Sequence, residues 1–75
     1  MSKRLPSLKA REIIKVLKAL GFYEVRQRGS HIFFKHLDGR YTSVPIHEGE
    51  DIGRGLLRQI LREISTSPED FLKKL

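Results

Sequence analysis

Cysteine and tryptophan are both absent from this 75-residue sequence, and proline occurs only three times. Without cysteine there is no disulfide framework, no thiolate-ligated zinc or iron–sulfur cluster, and no thiol nucleophile. No apolar run approaches the ~20 residues needed to cross a bilayer, so a membrane helix is excluded. The start, Met1-Ser2-Lys3-Arg4-Leu5-Pro6, is basic but lacks the apolar stretch of a secretion signal, and the expected location is the cytoplasm. Acids are the scarcer charge: nine Asp and Glu stand against fifteen Lys and Arg, a net charge of +6. On so short a chain that excess favours a polyanion: RNA, DNA, an acidic membrane surface or an acidic protein.

The length allows one domain over residues 1–75 and no second one. Hydrophobic residues at 39% and charged residues at 32% suit a globular chain with a small core. Ala10, Ile13, Ile14, Leu17 and Leu20 recur at helical spacing. Ser7 is the expected cap of that helix and Gly21 its stop. Lys9, Arg11, Lys15 and Lys18 make its exposed side basic. Phe22 to Arg28, His31 to His36 and Tyr41 to Ile46 read as strands, separated by Gly29-Ser30 and by Asp38-Gly39. Pro45 places the third strand at an edge or near its own end.

Ile52, Leu56, Leu57, Ile60, Leu61 and Ile64 give a second amphipathic helix, with Glu48, Glu50 and Asp51 ahead of its N-terminus. Gly53-Arg54-Gly55 opens it, and the glycines are expected to allow a bend. Ser67-Pro68-Glu69-Asp70 starts a short last helix that returns Phe71, Leu72 and Leu75 to the core. The order is α-β-β-β-α with a short α appended. It is an α+β layer structure, a three-stranded antiparallel sheet with helices on one face.

Histidine is the side chain whose ordinary titration lies near neutrality, so His31, His36 and His47 are the candidates for proton transfer. Their separations of five and eleven residues match no helical ligand pair, and no metal site is expected. His36, beside the hairpin turn, is expected to be solvated. With Asp38-Gly39 as a two-residue loop, Leu37 pairs with Arg40, Phe33 with Val44, and His31 with Ile46. Phe33, Val44 and Ile46 then face the helices, with His31 at the border of that face and His47 on the opposite one. A register slip of one residue exchanges the two faces.

The ordered set Gly21-Phe22, Val25-Arg26-Gln27-Arg28, Gly29-Ser30-His31, Asp38-Gly39-Arg40, Val44-Pro45-Ile46-His47 and Gly55-Leu56-Leu57-Arg58-Gln59-Ile60-Leu61 resembles the HicA (YcfA-like) family of toxin ribonucleases. The likeness covers nearly the whole chain. It implies a fold like the double-stranded RNA-binding domain, metal-independent cleavage of mRNA without a cofactor, and neutralisation by a HicB-type antitoxin. It also implies that His31, the histidine of Gly-Ser-His, is catalytic. Many members carry Gly-Thr-Leu where this chain has Gly55-Leu56-Leu57, which removes a hydroxyl there and leaves His31 untouched.

RNA supplies its own nucleophile, the ribose 2′-hydroxyl. The enzyme then needs a base and cations to stabilise charge on the phosphate. His31 is the expected base, and Arg26, Arg28, Ser30 and Lys35 are the expected RNA contacts. The competing reading is a non-catalytic RNA-binding module of the same fold. DNA binding by the chain alone has little support, because no helix-turn-helix pairing is visible.

Overall fold

A computed structural model describes residues 5–47 and 51–75. The expected role of Glu48 and Glu50 lies outside the described residues. The chain begins with a short strand, β1 (Leu8–Lys9), that pairs antiparallel with β5 (Asp51–Ile52) in the register Leu8↔Ile52 and Lys9↔Asp51. Lys9 Nζ meets the Asp51 carboxylate at 2.9 Å. Asp51 therefore serves this ladder, and the first turn of the following helix contains no acid.

That pairing displaces the expected cap. Helix α1 (Ala10–Ala19) starts after Lys9, not after Ser7, and the Glu12 carboxylate accepts the Lys9 amide at 2.9 Å. This is the returning half of a capping box. The helix buries Ile13, Val16 and Leu17. It stops at Gly21, whose φ of 98° favours glycine. The amide of Phe22 donates to the Leu17 carbonyl and that of Gly21 to Lys18, a Schellman ending.

Strands β2 (Tyr23–Arg28), β3 (His31–Lys35) and β4 (Tyr41–Pro45) form an antiparallel sheet in the order β2-β3-β4. Pro45 ends β4 at the sheet edge. The β3–β4 register is His31↔Pro45, Ile32↔Val44, Phe33↔Ser43, Phe34↔Thr42 and Lys35↔Tyr41. It differs by one residue from the pairing expected for a two-residue loop. The amide of His36 donates to the Arg40 carbonyl and that of Gly39 to His36, each at 2.9 Å. The loop is thus Leu37-Asp38-Gly39, with Gly39 at φ 99° and Leu37 solvent-exposed. A three-residue loop with a left-handed glycine is a common hairpin closure, and it shifts every pair by one.

The faces follow from that shift. Phe34, Thr42 and Val44 are buried against the helices, and Ile32 packs beside them. Phe33, expected in the core, is only half-buried and faces outward. Helix α2 (Arg54–Glu63) closes the inner face with Leu57, Ile60 and Leu61. Helix α3 (Pro68–Lys73) is capped as expected: Ser67 Oγ accepts the Asp70 amide at 3.1 Å, and Phe71 is fully buried. Leu75 does not return to the core and is 50% exposed. The architecture is the α-β-β-β-α layout of a double-stranded RNA-binding-like domain.

Candidate active site

The turn between β2 and β3 is Gly29-Ser30, with Gly29 at φ 56°. Glycine at the first of two loop residues is what a type II′ hairpin requires. It sets His31 as the first residue of β3, opposite Arg28 on one side and Pro45 on the other. Arg26 lies opposite Phe33, and Lys35 opposite both Tyr23 and Tyr41. An extra residue at Val25 shifts the β2 register between Glu24 and Arg26. This bulge keeps Tyr23 and Arg26 on the same side of the sheet.

Directly opposed residues share a face. Arg26, Arg28, His31 and Lys35 therefore all stand on the outer face, away from the helices, and all are exposed. The sequence expectation placed His31 on the border of the inner face; the three-residue loop moves it to the outer one. Ser30 stays in the turn, where its carbonyl accepts the Ile46 amide at 2.6 Å.

One hollow beside this face is lined by His31, Pro45, His47, Asp51, Ile52, Gly53 and Leu56. The two histidines, expected on opposite faces, thus share a cavity. The register accounts for it, because position 47 has the parity of Pro45, which is opposite His31. Gly53 forms the wall as the N-cap of α2 in ordinary extended backbone, φ −69°. A Cβ on Gly53 or Gly55 would meet nothing within 4 Å, so no close approach requires glycine at either position.

His36 is not the solvated residue its place in the sequence suggests. Its Nε2 lies 3.2 Å from the Leu20 carbonyl, and its Nδ1 accepts the Asp38 amide at 3.1 Å. Its ring meets Phe22 edge-on at 5.0 Å. Because a carbonyl only accepts, Nε2 is the protonated nitrogen. His36 ties the hairpin to the end of α1.

Arg40 and Thr42, to which the sequence reading gave no role in the site, attach the sheet to the end of α2. The Arg40 guanidinium lies 5.0 Å from the centre of the Phe22 ring, donates to Asp38 at 2.9 Å, and donates to the Ile64 carbonyl. The same guanidinium holds the Asp38 carboxyl below its ordinary titration range. Thr42 Oγ1 donates to Glu63 at 2.7 Å. Arg40 is thereby engaged in the scaffold, whereas Arg26, Arg28 and Lys35 are presented outward.

Among the described residues no group of three or more His, Asp or Glu side chains is placed to hold a metal ion. Nor is any of their helices long and apolar enough to cross a membrane. A helix-backed antiparallel sheet in α-β-β-β-α order, with a cationic outer face, defines a double-stranded RNA-binding-like domain. The family model of the HicA toxin of bacterial toxin–antitoxin systems matches residues 10–65. The chain belongs to that family, so it is the toxin of a toxin–antitoxin pair and has an antitoxin as its partner. No curated protein matches the chain closely enough to count as a relative.

Proposed function

We propose that this toxin is a metal-independent endoribonuclease that cleaves mRNA in the cytoplasm, with His31 as the catalytic residue and a HicB-type protein as its antitoxin. The observation that carries the reading is the position of His31: exposed, held at a strand end, opposite Arg28, and sharing a hollow with His47. A rigid strand fixes an imidazole more closely than a loop does, which general-base geometry needs.

His31 accepts the proton of a ribose 2′-hydroxyl while that oxygen attacks the neighbouring phosphorus. The bond from phosphorus to the 5′-oxygen of the next nucleotide breaks. The products are a 2′,3′-cyclic phosphate and a free 5′-hydroxyl. His47, across the hollow, gives the departing 5′-oxygen its proton. Such acid–base help is worth about 10²–10⁴ in rate. Arg28 is the cation paired with His31 and stabilises charge on the phosphate oxygens. Arg26 and Lys35 hold flanking phosphates, and Ser30 supplies the hydroxyl next to His31 in the chain.

Because the nucleophile belongs to the substrate, a single 2′-deoxyribose on the 5′ side of the cut should block cleavage there. Cleavage should persist in a metal chelator and leave cyclic phosphate ends. Cutting at the deoxy site would overturn the 2′-hydroxyl mechanism. Tight RNA binding without cleavage would favour the non-catalytic module.

A further inference from the structure

Phe33 and Tyr41 form a pair on the outer sheet face that the core does not use. Their ring centroids are 5.9 Å apart with planes at 25°, and the Arg26 guanidinium lies 5.0 Å from the Phe33 centroid. Tyr41 is 44% exposed and Tyr23, on the same face, 43%. The buried cluster is complete on the other side of the sheet around Phe34, Val44 and the helices.

We propose that this face is a stacking platform for single-stranded RNA, with bases on Phe33 and Tyr41 and phosphates on Arg26, Arg28 and Lys35. It rests on the reading of the toxin as an RNA-cleaving protein and adds where on the fold the unpaired strand is held. Charge complementarity selects this occupant. The only acid within the three strands is Glu24, and it pairs with Phe34 on the inner parity. Rings interleaved with cations match a polyanion that also offers flat π-faces. A duplex keeps its bases stacked on one another and presents mainly backbone and groove shape, so it leaves the rings unused. Phe33 lies two residues along β3 from His31, roughly 6–7 Å, so a strand on the platform runs directly to the proposed base.

The test measures binding in a His31→Ala background, where the RNA stays intact. The probes are a short oligouridine, an abasic ribose-phosphate strand of equal length, and a duplex RNA. Tyr41→Ala and Phe33→Leu should each weaken oligouridine binding by about 5- to 150-fold. Tyr41→Phe should retain binding, and duplex binding should be insensitive to all three changes. The abasic strand should bind more weakly than oligouridine and respond little to Tyr41→Ala. Equal binding of abasic and base-bearing strands would overturn the proposal. So would unchanged oligouridine binding by folded Tyr41→Ala, including the case where that variant loses only its antitoxin. Cleavage by protein with His31 intact is scored separately. A protein that binds in this pattern but does not cut keeps the platform and loses the ribonuclease reading.

Discussion

The amide of Ile46 donates to the carbonyl of Ser30 at 2.6 Å, one step beyond the last pair of β3 and β4. The bond carries the ladder past Pro45 and around the start of β3. It holds the segment leading to His47 against the turn that presents His31, and both histidines then border one hollow. The backbone contact between Ser30 and Ile46 thus brings the two imidazoles to one hollow.

If His47 protonates the leaving oxygen, His47→Ala should lower kcat by about 10²-fold or more. RNA affinity should change only a few-fold, because cations supply most of it. Single-turnover cleavage alongside equilibrium binding separates the two effects. Loss of binding with an unchanged cleavage rate would assign His47 to substrate grip.

Gly21 and His36 should behave as one unit. A Cβ on Gly21 would lie 2.8 Å from His36 Nε2, and the backbone there has φ 98°. Gly21→Ala should cost about 1–2 kcal/mol from the left-handed conformation alone, with the clash added. His36→Ala should cost about 1–2 kcal/mol through the lost hydrogen bonds. Urea unfolding of the double variant should show less than the sum, because removing the ring removes the clash.

Ser65 occupies the same position at the end of α2 that Gly21 holds at the end of α1, with φ 52°. The Thr66 amide donates to Leu61 and that of Ser65 to Arg62, a second Schellman ending without its glycine. Ser65→Gly should therefore stabilise the fold by about 0.5–1 kcal/mol, less whatever chain entropy the glycine adds to the unfolded state. Thermal or urea melts of the two proteins measure it.

The Asp38 carboxyl is held below its ordinary value of 3.8, first by hydrogen bonds from the Arg40 side chain and amide. A carboxyl with a lowered folded-state value stabilises the protein above its unfolded value. That stability is lost as pH falls through the folded one. Wild type should thus exceed Asp38→Asn in stability at neutral pH, and the gap should close on acidification below the ordinary carboxylate range. Urea midpoints of both proteins across that range test the sign.

The helices were legible in the sequence because their apolar spacing and their boundary signals are local: Gly21 as the stop of α1, Ser67-Pro68 as the start of α3. The strands were legible too, near their observed bounds. Their pairing was not. Asp38-Gly39 is a two-residue loop signal, and nothing in the local sequence shows that Leu37 joins the loop. That single residue moved Phe33 and His31 from the inner face to the outer one, where His47 was already expected. The two-residue strands β1 and β5 carry no periodicity, so the ladder that displaces Ser7 as a cap is visible only in three dimensions. His36 was misplaced for the same reason, since its partner Leu20 is sixteen residues away. The motif around His31 was readable as a resemblance, and its exposure followed from the fold.

The most direct measurement is cleavage of a defined RNA by wild type and His31→Ala, with folding checked by circular dichroism and RNA binding measured in parallel. Truncating an exposed residue at a strand end leaves no deep cavity, so the variant should stay folded. It should bind RNA and cease to cut it, and its expression should no longer arrest growth. Full cleavage by folded His31→Ala would contradict the account.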